Sequence, residues 1–286
     1  RWTGLYNRDY LVSLLEMDAK LKKKSKKALI GVNLSMVQLL AVNYGFQYSQ
    51  NLIKKAAAAL SQHCTDNRLL FQLRENRFAF YIFDYKDKNE IVDFSNAISE
   101  TLESLFITER IGGGIGILEI EQNQNEVDVD LLLRRLLIAS ERSVSLSGKR
   151  FEICFYDKEL EDLVNRERDI VEVLSTIAAD DYNNDDLFLQ YQPIMDLRTN
   201  SICGFEVLAR LRTEKLGLVS PVEFIPIAEK TKLIIPIGEK VIVKAFRFLN
   251  KLKERGYDEI CISINISVIQ LLNTDFTNRL FELMSE

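Results

Sequence analysis

The chain has 286 residues, 47% of them hydrophobic and 28% charged, the composition of an ordinary globular protein with length enough for two domains. Its formal net charge of −5 supplies no basic face for gripping a nucleic-acid polymer. No run of about 18 apolar residues is present to span a membrane.

Residues 9–27 place Tyr10, Leu11, Leu14, Leu15, Met17 and Leu21 at helical spacing, and the basic run Lys20 to Lys27 is expected at that helix's C-terminal end. Ala28 to Leu34 (ALIGVNL) is short and apolar, a buried strand. A helix follows over 47–62, then strands over 69–73 and 78–83 separated by Arg74-Glu75-Asn76-Arg77. That pattern predicts a hairpin whose turn lacks the usual glycine. A helix over 88–105, a strand opened by Gly112-Gly113-Gly114, a helix over 128–147 capped at Gly148, and a strand over 151–155 complete a βαββαβ core of ferredoxin-like type.

Between Asp157 and Ala179 the apolar residues Leu160, Leu163, Val164, Ile170, Val171, Leu174 and Ile177 form one stripe of nearly heptad spacing. The stripe predicts a long helix that could pair with a second copy in a homodimer. The acidic, turn-forming run Asp180 to Asp186 then marks a linker. Beyond it strand and helix signals alternate: FLQYQPIMD, CGFEVLARL, VEFIPIAEKT, a helix over 236–254, and CISINIS. Alternating units predict a parallel sheet or barrel, and the roughly 100 residues left hold only about three of the eight units of a complete barrel.

Four cysteines (Cys64, Cys154, Cys203 and Cys261) form no CxxC pair, and His63 is the single histidine, so a zinc site is not expected. Cys154, Cys203 and Cys261 lie in apolar strand-like runs, which predicts reduced core thiols and a cytoplasmic location. The opening RWTGLYNR has no apolar signal-peptide core and starts inside a motif. The chain is therefore expected to be part of a longer parent with room for an upstream sensor or membrane segment.

Residues 1–157 resemble the GGDEF, or diguanylate cyclase, family, on Thr3-Gly4-Leu5-Tyr6-Asn7-Arg8 at the entry, Tyr44-Gly45, and Arg74-Glu75-Asn76-Arg77-Phe78 at the hairpin. The resemblance implies a nucleotidyl-cyclase fold and a site where carboxylates hold two metal ions at a triphosphate. Those carboxylates are replaced. Asn33 and Ser35 stand at the first-strand aspartate positions, Asn76 and Arg77 at the hairpin's acidic positions, and Arg74 and Glu75 where the family has glycines. The base-reading positions correspond to Ala41 and Gln50, and Thr65 to Arg68 (TDNR) replaces the inhibitory RxxD motif. The domain is expected to be catalytically dead and regulatory.

Residues 187–286 resemble the N-terminal part of the EAL family, which hydrolyses cyclic-di-GMP to the linear dinucleotide. Three motifs carry this in order: YQPIMDLRTNSICGFEVLAR, SPVEFIPIAEKTKLI and ISINIS. The resemblance makes Glu206 and Asn265 ligands of Mg2+ or Mn2+, Glu206 at the C-terminal end of a barrel strand. It makes Gln192, Arg210 and Pro221 contacts to the cyclic dinucleotide. Val207 replaces an alanine, and Lys232 replaces a glycine in a turn. The family's remaining metal ligands are expected on later strands, past Glu286, so the chain as it stands is expected to be inactive although its parent is a phosphodiesterase. A non-catalytic cyclic-di-GMP sensor, or a scaffold or dimerisation module, is the alternative. The fold class is thus α/β: an α+β GGDEF domain over 1–157, a connecting helix and acidic linker over 158–186, and a partial TIM barrel over 187–286.

Overall fold

The computed structural model describes residues 3–21, 25–121, 128–144, 150–180, 182 and 184–285. The chain falls into two compact units, 1–162 and 163–286. Among the described residues no helix is long and apolar enough to cross a membrane.

The first unit runs β1 (Tyr6–Asn7), α1 (Arg8–Lys20), β2 (Lys27–Asn33), a 3-10 turn (Ser35–Leu39), α2 (Leu40–Tyr44), α3 (Phe46–Ser61), β3 (Arg68–Arg74), β4 (Arg77–Phe83), α4 (Lys88–Leu105), β5 (Gly113–Ile120), α5 (Val129–Arg142) and β6 (Phe151–Phe155). Its sheet has the order β1-β3-β4-β2-β5-β6. The inner four strands have the antiparallel ferredoxin-like order, with β2 paired to both β4 and β5. Alternation along β2 decides which face each residue serves. Ala28, Ile30 and Val32 join Leu52, Ala56 and Leu60 of α3 and Ile91, Phe94 and Ile98 of α4. Leu29 joins Leu11 and Leu15 of α1 and Leu132 and Leu136 of α5 on the other side. Helices therefore cover both faces of the sheet.

The hairpin turn at Glu75 and Asn76 manages without glycine. Neither residue has a positive φ, and the strands absorb the mismatch in a register shift between Gln72 and Arg74. Helix α1 stops at Lys20 and Lys27 opens β2, so the basic run bridges two elements instead of ending a helix; Lys22–Lys24 lie outside the described residues. The expected Gly148 cap is likewise outside them.

Helix α6 (Lys158–Ala179) begins in the first unit and ends in the second. Its first turn is held by Tyr156, whose hydroxyl donates to Glu161, and by Arg135, which pairs with the same carboxylate. Burial, followed by the Glu161 carboxylate, pushes the Tyr156 phenol up to about 12. From Leu163 onward the helix belongs to the second unit. Ile170, Leu174 and Ile177 are fully buried there with Leu187, Leu211 and Phe224. The apolar stripe is thus consumed mainly inside its own chain, and Leu163 stays exposed.

The second unit continues with β7 (Leu187–Asp196), β8 (Ser201–Thr213), β9 (Gly217–Val219), α7 (Pro221–Lys230), α8 (Ile234–Glu254), β10 (Cys261–Ile264), α9 (Val268–Leu271) and α10 (Phe276–Ser285). The sheet is not closed. Its order is β10-β8-β7, with β9 beside β8. Where the alternating units predict a parallel sheet or barrel, β7 and β8 form an antiparallel hairpin, and β10 runs parallel to β8. The residues between β7 and β8 are too few for a parallel crossover. Two lysines of α8, the buried Lys240 and the half-buried Lys244, reach the acidic loop after α6. Lys240 Nζ donates to the Asp180 carbonyl, and Lys244 Nζ donates to the Asn184 carbonyl at 2.9 Å. Desolvation lowers the Lys244 ammonium pKa.

The cysteine reading is corrected as well. Cys203 on β8 and Cys261 on β10 are exposed, and Cys154 on β6 is only half-buried.

Lys232, in the turn between α7 and α8, has φ +62°. A side chain there crowds the following carbonyl, which explains why a glycine suits this position. Lys232→Gly is expected to raise the second unit's stability by about 1 kcal/mol, measured by urea unfolding. A loss of stability would show that the lysine side chain contributes more than its backbone costs.

Candidate functional site

Strand alternation sorts β8 into two sets. Val207 and Leu211 point to the helices and are buried, with Leu187 of β7. On the same side Tyr191 stacks on Phe248 of α8 at 3.6 Å between ring centroids, and Phe205 meets Phe248 edge-on. Glu206 and Arg210 necessarily take the other face. Register places Gln192 directly opposite Glu206, and Phe188 opposite Arg210.

On that face Asn265 Nδ2 donates to Glu206 Oε1 at 3.0 Å, joining residues 59 positions apart. The parallel pairing of β10 with β8 brings them together: Ser263 is level with Glu206 and Ile264 with Val207. Glu206 is mid-strand in β8 itself, not at its C-terminal end. It does stand at the C-terminal end of the stretch that runs parallel to β10, since β8 continues past it to pair with β9. Arg210 Nε donates to Gln190 Oε1 at 2.8 Å and its Nη1 to the Ala209 carbonyl at 3.0 Å. Gln190 was not singled out from sequence; its two-residue offset from Gln192 on one strand was the available signal. Pro221 occupies the first position of α7, after the Ser220 N-cap.

Glu206 and Asn265 offer a carboxylate and an amide carbonyl, oxygen donors of the kind hard divalent cations take. Among the described residues no cluster of three or more His, Cys, Asp or Glu side chains could hold a metal. In chemistry the pair suits Mg2+ or Mn2+, for which it would offer two oxygen donors.

In the first unit the replaced carboxylate positions do come together. Asn33 is fully buried and pairs across the sheet with Arg77. The Arg77 guanidinium donates to Asn33 Oδ1 and forms an ion pair with Glu141 of α5. Asn33 Oδ1 also accepts from the Ser35 backbone N–H at 2.9 Å, and Asn33 Nδ2 donates to the Ser140 carbonyl at 3.4 Å. Asn76 is buried and its carbonyl accepts from the Leu34 N–H at 2.9 Å. A cation, the Arg77 guanidinium, is therefore fixed between Asn33 at the end of β2 and Glu141 of α5. Glu141 escaped the sequence reading because only the fold brings α5 to the end of β2.

On the edge by β1 lies a cleft of about 430 Å³ lined by Tyr6, Phe46, Gln50, Gln72, Arg74 and Glu75, among others. It unites the expected base-reading position Gln50 with the two hairpin residues that replace glycines. Ala41 does not line it.

Residues 1–136 match the family described as diguanylate cyclase, GGDEF domain, and residues 177–286 match the EAL domain family. The biofilm architecture maintenance protein MbaA of Vibrio cholerae is 38% identical over 125 residues, 44% of this chain and 15% of MbaA. The cyclic di-GMP phosphodiesterase PA2567 of Pseudomonas aeruginosa is 26% identical over 283 residues, 96% of this chain and 46% of that protein. Among solved structures, the S helix-GGDEF-EAL segment of Vibrio cholerae LapD bound to c-di-GMP gives a TM-score of 0.49 at 13% identity, covering 96% of this chain and 63% of that one. The chain spans less than half the length of the two curated relatives. With both family matches in order along it, the chain belongs to the tandem GGDEF–EAL family of cyclic-di-GMP signalling proteins.

Proposed function

We propose that the second unit contributes Glu206 and Asn265 as metal ligands, and Gln192, Arg210 and Pro221 as substrate contacts, to a site that hydrolyses cyclic-di-GMP to the linear dinucleotide. The first unit regulates it and makes no cyclic-di-GMP. The observation that carries this reading is the Asn265–Glu206 hydrogen bond on a face where Gln192 lies opposite Glu206. A bound Mg2+ or Mn2+ would supply Lewis-acid polarisation of a phosphoryl oxygen and a hydroxide at neutral pH. The protein's own part is to fix the two oxygen donors by strand pairing and to present Arg210, oriented by Gln190, to a phosphate.

For the chain as it stands the sensor reading has its own support, since no third acidic ligand joins the pair among the described residues. A homodimer would find only Leu163 of the exposed large apolar residues on α6, because Ile170, Leu174 and Ile177 are closed off.

The test is incubation of the chain, and of a longer form carrying the remaining EAL residues, with cyclic-di-GMP or GTP in Mn2+. The longer form is expected to yield linear dinucleotide, with Glu206→Ala lowering turnover by more than about 100-fold. Neither form is expected to convert GTP. Hydrolysis indifferent to Glu206 would overturn the site, and a cyclic product from GTP would overturn the regulatory role of the first unit.

A further inference from the structure

Asn265 lies on a three-residue connection, Asn265-Ile266-Ser267, between the end of β10 and the start of α9. One end of this connection is fixed by the pairing of Ile264 with Val207. The other end is fixed by Ser267 in three ways. Its hydroxyl donates to Glu229 Oε1 of α7 at 2.6 Å, its backbone N–H donates to Gln270 Oε1 at 3.0 Å, and its Oγ accepts from the Ile269 N–H at 3.3 Å.

Gln270 is itself immobilised. It is 2% exposed, and its amide lies against Gly238 of α8 so closely that a Cβ there would fall 1.9 Å from Nε2. Glycine at 238 is therefore what lets α8 accept the side chain that holds Ser267. A short connection clamped at both ends has little freedom, and the side chain it carries is delivered to one place.

We propose that Glu229 is a positioning residue for the Glu206–Asn265 pair, acting through the Ser267 hydroxyl, with Gln270 seated on Gly238 as the second fixed point. This rests on the reading of Glu206 and Asn265 as metal ligands. The carboxylate of Glu229 accepts a charge-assisted bond, stronger than a neutral one and short by hydroxyl standards. Its loss frees the loop at Ser267 without removing any ligand.

The test uses the whole chain labelled with 15N-asparagine, reading the Asn265 side-chain amide by NMR before and after Mn2+ is added. Glu229→Ala is expected to speed solvent exchange of that amide roughly tenfold and to weaken Mn2+ binding by a similar factor, the worth of one hydrogen bond to a charged group. Ser267→Ala should show at least this effect, since it also removes the cap on the Ile269 N–H, and Glu229→Ala combined with Ser267→Ala should be no worse than Ser267→Ala alone, because the shared interaction is removed only once. Glu229→Gln keeps an acceptor for the hydroxyl and should restore native exchange, which a general loss of packing would not do. Unchanged Asn265 exchange in Glu229→Ala overturns the positioning role, as does additivity of the two changes. Native chain that shows no Mn2+ effect at Asn265 counts instead against the metal reading, and the exchange measurements still decide the positioning role.

Discussion

Replacing Ile170 with glutamate is expected to unfold the second unit, with a loss on the order of 4 kcal/mol, and not to turn a dimer into a monomer. Ile170 is 0% exposed and lies in a core with Leu174, Ile177, Leu187 and Phe224. A carboxylate placed there has no partner to offset its desolvation, so it must either protonate or pull the helix out. Leu163, on the same stripe, is 43% exposed. Leu163→Glu should cost no more than about 0.5 kcal/mol. Urea unfolding followed by circular dichroism separates the two variants. Equal tolerance of both would mean that α6 does not pack as described, and a mass halved in light scattering by Ile170→Glu in a still-folded chain would return the stripe to an intermolecular role.

Gly114→Ala is expected to destabilise the first unit by about 3 kcal/mol, the upper part of the range for overpacking a tight core. Gly114 sits in β5, paired with Asn33 of β2 and Glu152 of β6. A Cβ on it would fall 2.2 Å from the Ser140 carbonyl oxygen and 2.3 Å from Ser143 Oγ. The carbonyl belongs to the backbone of α5, so relief requires the helix to move as a body. The Asn33 side chain, which donates to that carbonyl, would lose its partner. The midpoint of chemical unfolding should fall with little change in slope. A midpoint within error of the native one would show that α5 is not held as closely as described.

How far the sequence could be read depended on the range of the interactions involved. Helix α4 matches its predicted bounds, and α6 differs by one residue at its start, because each carries an apolar face at helical spacing over many turns. The strand pair around Glu75 and Asn76 was legible from composition, whereas its glycine-free turn needed the register shift to make sense. The cysteines misled because a strand's apolar character says nothing about whether anything covers it. Among the described residues Cys261 lies on a strand paired on one side only, and Cys203 is exposed on β8.

The same distinction applies to the sites. Glu206 and Asn265 were found through motif resemblance, and no local property of either residue predicts a bond across 59 positions. Lys232 could be marked as out of place from its motif, and its positive φ supplies the reason. Glu141 and Glu229 act through partners that only the packed sheet and helices bring near, so nothing in their own segments announced them, whereas Gln190 shares a strand face with Gln192.

Helix α6 carries no glycine or proline from Lys158 to Ala179, and its first turn and its later turns are anchored in different units. An unbroken helix of this kind runs its backbone hydrogen bonds from residues of one unit into residues of the other. If one end frays, the other inherits a terminus with unsatisfied backbone groups and a shorter cooperative length. Amide protection along α6 should therefore show no weak point near Leu163, where the two units meet in sequence, and ligands that tighten one unit should slow exchange in the half of the helix belonging to the other.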